Sequence, residues 1–213
     1  MPFPGAKGTC YDPGLHVPLI VRGAGIARPG SVEPALISHV DLPATWVDLA
    51  GAAVPQKMQG QSFVGLLRGN RAGWQRDAVF SERNWHDNFD PVRSVRTGRY
   101  KLIFNAAPHF PYRPAWDLED SLTWKSYKTM ARQGKLAPHH WRLLQPARPV
   151  VEMYDLEKDP DEFQNVADDP AYREAKADLL KRLSSWMHQT YDYLPPAFAG
   201  PGEPAGRGWP VSL

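Results

Sequence analysis

Residues 17–21 read Val-Pro-Leu-Ile-Val, a short unbroken apolar run rich in branched side chains and set between Gly14 and Gly23. A strand of this composition has no polar face, so it must be covered on both sides, as the strands of α/β sheets are. From Asp41 the period changes to that of a helix. Leu42, Trp46, Leu49 and Ala50 recur at helical spacing, Asp41 is placed to cap, Pro43 is tolerable in the first turn, and Gly51 supplies the stop. A brief helix or turn is expected at Phe63-Val-Gly-Leu-Leu. Asp77-Ala-Val-Phe-Ser follows as a strand, and residues 82–90 form a polar loop at its carboxyl end, where open α/β sheets bind ligands.

After Pro91 the pattern alternates. Residues 92–97 and 100–104, separated by a Thr97-Gly-Arg turn, predict an antiparallel hairpin. Residues 105–149 are rich in proline and aromatics without a sustained period, apart from a short helical piece near 122–133; loops of this length are usually functional or insertional. Another strand is expected over 150–156, ended by an Asp159-Pro-Asp turn. Asp169 and Pro170 open the clearest helix, whose stripe of Tyr172, Ala175, Leu179, Leu183, Trp186 and Met187 should pack on the small sheet. The fold class is therefore α/β, with a small antiparallel sheet covered by a long C-terminal helix. The expected division is the C-terminal portion of a large α/β domain over 1–90, a small α+β subdomain over 91–194, and a Pro/Gly-rich extended tail over 195–213.

Composition narrows the partners. A formal charge of +2 spread among acidic and basic residues gives no footprint for a nucleic acid. A single cysteine cannot form an internal disulfide. No apolar stretch approaches the ~20 residues of a membrane span, so no membrane partner is expected. No basic segment followed by an apolar one opens the chain.

The order of short motifs is more specific. Residues 1–22 run Met-Pro-Phe-Pro-Gly-Ala-Lys-Gly-Thr-Cys-Tyr-Asp-Pro-Gly-Leu-His-Val-Pro-Leu-Ile-Val-Arg; later come Ser38-His-Val-Asp-Leu-Pro, Gly60-Gln-Ser-Phe, Arg93-Ser-Val-Arg-Thr-Gly-Arg-Tyr-Lys-Leu-Ile and Glu152-Met-Tyr-Asp-Leu-Glu-Lys-Asp-Pro. This series resembles the sulfatases of the alkaline-phosphatase superfamily, most closely their N-sulfoglucosamine sulfohydrolase branch. In that family an Asp-Asn or Asp-His metal pair and a glycine lead into a Pro-Phe-Pro loop, a basic residue, and a tyrosine with an acid before glycine. The resemblance implies the C-terminal part of an alkaline-phosphatase-like α/β sandwich. For the complete enzyme it implies a calcium ion, a formylglycine nucleophile and a sulfated saccharide substrate. One departure matters: Cys10 lies in Cys-Tyr-Asp-Pro-Gly, not in the Cys-x-Pro-Ser-Arg run that is oxidised to formylglycine. Formylglycine is thus not encoded here, the calcium ligands are expected before Met1, and no residue of this chain is expected to bind metal. The family is often periplasmic, lysosomal or secreted.

Lys7 occupies the position of the family's basic residue and is the one catalytic candidate. Sulfuryl transfer builds negative charge on peripheral oxygens, which a fixed cation stabilises. The branch carries arginine there, so the bidentate fork is exchanged for a point charge. A solvated lysine on a glycine loop is the bland alternative. Residues 82–88, Glu-Arg-Asn-Trp-His-Asp-Asn, supply the substrate-binding candidates His86, Arg83 and Asp87. Their chemistry suits hydroxyls, anionic groups and a sugar face; the same residues also suit a polar surface loop anchored by a buried Trp85. Asp12 can orient Lys7 or close the Asp-Pro-Gly turn. His16 and His39 read as structural, and His139 with His140 lacks a third ligand at metal spacing.

Alone, the chain is expected to be inactive. Two other classes remain open: a phosphatase or phosphodiesterase of the same superfamily, and a non-catalytic carbohydrate-binding or interaction fragment. An N-terminal half or a second copy is the expected protein partner, because an uncovered apolar strand tends to associate.

Overall fold

The computed structural model describes residues 4–194. The chain divides into two compact units, one of Met1–Val17 with Phe80–Leu213 and the other of Pro18–Val79.

The first unit is built on a four-stranded sheet in sequence order: β1 (Val79–Trp85), β2 (Phe89–Arg96), β3 (Tyr100–Asn105) and β4 (Val151–Asp155). β2 and β3 pair antiparallel with Val95 opposite Leu102, and β3 and β4 antiparallel with Leu102 opposite Met153. Both faces are covered, which is why six consecutive residues of β2 are buried. Strand alternation puts Val95, Leu102 and Met153 on one face and Ile103, Glu152 and Tyr154 on the other. α6 (Arg173–Gln189) packs against β2 and β3 and buries Leu179 and Leu183. Asp169 caps the 3-10 turn Pro170–Tyr172 ahead of it, accepting from Ala171 N at 2.9 Å. Trp186, lower on the same stripe, stacks on Phe80 of β1 with ring centroids 5.1 Å apart.

Arg93 is fully buried and ties these elements together. Its Nη2 donates to Asp192 Oδ1 at 2.6 Å, beyond the end of α6, and to Asn84 Oδ1 at 2.8 Å in β1. The opposite face holds an apolar cluster of Cys10, Tyr11, Val92, Ile103, Tyr112, Trp124, Tyr127 and Tyr154. The polypeptide before β1 contributes α1 (Asp12–Leu15), and the long connection from β3 to β4 contributes α4 (Trp116–Glu119), α5 (Leu122–Arg132) and the 3-10 helix Pro138–Leu144. Beside the cluster runs a buried polar seam. Lys101 Nζ, wholly enclosed, lies 2.8 Å from Asp12 Oδ1 and 2.9 Å from Glu162 Oε1, while Arg96 Nε lies 3.2 Å from Asp12 Oδ2.

The second unit contains α2 (Asp41–Leu49) and α3 (Val64–Leu67). Gly51, at φ +76°, ends α2 as expected. Asp41 does not cap that helix. Its buried carboxylate turns away, accepting from Ser38 N at 2.8 Å, Gln61 N at 3.0 Å and the Arg76 guanidinium. Thr45 continues the join, accepting from Phe63 N at 3.1 Å. The buried side of α2 is therefore the small and polar one, and the expected apolar stripe is open: Trp46 is 62% exposed and Leu49 52%.

Residues 17–21 also depart from expectation. They form no strand, and Ile20 is 90% exposed. A strand exists only through hydrogen bonds to a neighbour, and none of the described strands pairs with this run. The strand expected at 77–81 begins at Val79 and runs on to Trp85, which shortens the following loop to His86, Asp87 and Asn88. It belongs to the small sheet, so compactness groups residues 80–90 with β2 to β4 rather than with residues 18–79. The expected tail over 195–213 lies outside the described residues.

Candidate functional site

Lys7 stands on a tight loop whose shape is set by small residues. Gly5 and Gly8 adopt φ +82° and +73°, which side-chain-bearing residues rarely do. Thr9 Oγ1 closes the turn by donating to Gly5 O at 2.8 Å or Ala6 O at 2.9 Å. Gly14 packs so closely that a Cβ there would come within 2.4 Å of Ala6 O. Tyr11 anchors the far end, its hydroxyl donating to Glu152 Oε2 at 2.8 Å.

The Lys7 ammonium leaves this loop toward solvent and meets Asp117 of α4, Nζ to Oδ2 2.6 Å, with both side chains about half exposed. Chiefly through the hydrogen bond from Lys7, the Asp117 carboxyl is held below its ordinary range, with His86 adding a smaller pull. The β1–β2 loop comes to the same place. His86 Nδ1 lies 3.1 Å from Asp87 Oδ2, and Asp87 Oδ2 accepts from Trp116 N at 2.7 Å, next to Asp117. Lys7, His86 and Asp87 are thus gathered around the start of α4.

Arg83 is placed differently from the expected substrate contact. β1 carries it inward, where its guanidinium donates to Gly8 O and lies 3.1 Å from Asp90, which Arg148 also contacts. With only 10% of its side chain exposed, Arg83 braces the Lys7 loop and does not face solvent. Trp85 is 66% exposed, so it is not the buried anchor of a surface loop. Asp12 is drawn into the Lys101 seam, away from Lys7.

Cys10 sits beneath the loop in the core, and burial pushes its thiol up to about 11. A thiol of that kind stays protonated and unreactive near neutrality. His139 stacks on Phe163 at 4.1 Å, and His140 packs edge-on against Tyr127. Among the described residues no group of three or more His, Cys, Asp or Glu side chains could hold a metal ion.

Sequence reading missed Asp117, whose only signal was its place in the long connection between β3 and β4. In the same connection Trp124 is core at 3% exposure, Trp141 is 37% exposed, and Trp116 is 66% exposed beside Asp117.

The comparisons with known proteins agree with the motif order. An ulvan-active sulfatase of Formosa agariphila is 29% identical over 87% of this chain and 31% of its own length. Human N-sulphoglucosamine sulphohydrolase is 27% identical over 90% of this chain and 40% of its own length. The chain thus spans roughly a third of the curated relatives it matches. Among solved structures, a phosphonate monoester hydrolase from Silicibacter pomeroyi superposes with a TM-score of 0.58 at 23% identity, over 88% of this chain and 32% of that one, so the fold is shared. The sequence pattern described as N-sulphoglucosamine sulphohydrolase, C-terminal, matches residues 6–121, more than half of the chain. That segment includes Lys7, His86, Asp87 and Asp117, and the chain belongs to the sulfatase family as a counterpart of its N-sulphoglucosamine sulphohydrolase C-terminal region.

Proposed function

We propose that this chain is the C-terminal part of a sulfatase-type hydrolase acting on a sulfated amino sugar, with the N-sulfate of glucosamine in heparan-type glycans as the preferred group. The observation that carries this reading is the convergence of Lys7, His86 and Asp87 within the family-matched segment. Lys7 supplies positive charge to sulfate oxygens, most strongly as charge builds on them. His86 and Asp87 offer a donor and an acceptor to sugar hydroxyls or the sulfated nitrogen. Arg83 acts through Gly8, holding the loop so that Lys7 projects where it does.

Calcium supplies charge compensation in a complete sulfatase, and formylglycine supplies the attacking group. The role proposed for the residues of this chain is binding and orientation of the sulfated group. Purified chain should bind N-sulfoglucosamine in preference to glucosamine by calorimetry and should not hydrolyse it, with or without added calcium. Equal affinity for the two sugars would count against the site, and turnover by the chain alone would count against the division of labour.

A phosphoryl or phosphonyl substrate is the second reading, supported by the fold shared with the phosphonate monoester hydrolase. The family match favours sulfate. Tighter binding of a phosphonate monoester than of the sulfated sugar would reverse that preference.

A further inference from the structure

Beside the Lys7 site the first unit opens into a groove of about 420 Å³, a volume within the usual range of small-molecule sites. Its walls combine aromatic faces with charge: Trp116 and Tyr112, Arg113 and Lys128, and Asn88 and Glu119. The two cations are not spent on internal ion pairs. Arg113 makes only a long bond of 3.4 Å to Asn88 Oδ1, and among the described residues neither Arg113 nor Lys128 has a carboxylate partner. Trp116 holds its indole out although its backbone is fixed by Asp87. An exposed indole flanked by unpaired cations fits a flat polyhydroxyl ring bearing anionic substituents. One exposed acid, Glu119, leaves the groove net cationic and can accept a hydroxyl.

Two lining residues of the groove are chain neighbours of the Lys7 site. Trp116 precedes Asp117, the partner of Lys7, and Asn88 follows Asp87 in the β1–β2 loop. A sugar held at Lys7 would place its neighbour in a chain at this groove. We propose that the groove is a subsite for the second residue of a sulfated oligosaccharide, with Trp116 stacking on the ring and Arg113 and Lys128 contacting its sulfate or carboxylate. This extends the reading of Lys7 as the sulfate-binding cation and rests on it.

The test is calorimetric titration of the 213-residue chain with N-sulfoglucosamine and with a heparin-derived disaccharide carrying the same sugar, alongside the unsulfated disaccharide. Two charge-assisted contacts should tighten the sulfated disaccharide about tenfold over the monosaccharide. Trp116→Ala and the double variant Arg113→Ala with Lys128→Ala should each remove most of that gain while leaving monosaccharide affinity unchanged. Because Trp116 and Arg113 are exposed and Lys128 is partly exposed, circular dichroism should show the fold unchanged. Equal affinity for the two ligands, or a gain that survives both variants, would overturn the subsite while leaving the Lys7 reading standing. Disaccharide binding that depends on Trp116, Arg113 and Lys128 but is indifferent to Lys7→Met would support the groove and remove Lys7. Absence of binding by either ligand would overturn both.

Discussion

Lys7 and Asp117, 110 positions apart in sequence, meet as an ammonium and a carboxylate 2.6 Å apart at the edge of an open surface. A sulfate entering the site must compete with Asp117 for this cation. Asp117→Asn should therefore strengthen binding of N-sulfoglucosamine several-fold, and Lys7→Met should weaken it. The pair also sets a pH limit. Lys7 holds the Asp117 carboxyl below its ordinary range, so the ion pair persists above pH about 4 and is lost as pH falls through the lowered folded value. Carbon-detected NMR titration should place Asp117 below a free aspartate and return it toward the ordinary value in Lys7→Met.

Arg93 is the buried fastening between β1, β2 and the end of α6. Removing its charge leaves the Asp192 carboxylate, only 9% exposed, without its main partner. Arg93→Met should cost about 3–5 kcal/mol in urea unfolding, and pairing it with Asp192→Asn should recover part of that loss. A cost below about 1 kcal/mol, the range of surface ion pairs, would mean that Arg93 does not fasten the sheet.

The seam at Lys101 makes stability depend on acid. Burial alone would raise the Asp12 carboxyl, but Lys101 and Arg96 outweigh it and hold the group below its ordinary value. Its contribution is present above pH about 4 and fades as pH falls through the lowered folded value. Glu162 runs the other way: burial dominates and raises it despite Lys101, so its contribution is present below about pH 4 and is lost as pH rises through the raised value. Thermal midpoints measured from pH 7 to 3 should fall less steeply at the acid end in Asp12→Asn than in the parent chain. Identical acid slopes would place the seam's charge balance elsewhere.

Cys10 gives a check on the packing beneath the Lys7 loop. Its thiol, raised to about 11 by burial, should react with a disulfide reagent at pH 7.5 at least 100-fold more slowly than a free cysteine, through loss of both thiolate and access. Full reactivity should return in denaturant. Rapid native labelling would mean that the loop is not seated on the sheet.

What was legible in the sequence follows from which partners a segment needs. Thr97-Gly-Arg between alternating runs and the Leu179–Leu183 stripe carry local signals, and both gave the elements expected. Residues 17–21 carry an equally strong local signal, yet a strand needs a neighbour and Ile20 lies open. Trp46 fails in the same way, since helical spacing identifies a stripe but not the surface that covers it. At the site, glycine spacing and motif order marked Lys7, and dense polarity marked His86 and Asp87. Arg83 faces inward because strand alternation beyond residue 81 turns it that way, and Asp117 was missed because its link to Lys7 is purely tertiary.

The most direct test of the central claim is NMR mapping of N-sulfoglucosamine on the isotopically labelled chain. The account predicts saturable shifts at the amides of Lys7, Gly8, His86, Asp87 and Asp117, absent with glucosamine and lost in Lys7→Met. Shifts confined to other surfaces, or a pattern unchanged in Lys7→Met, would contradict it.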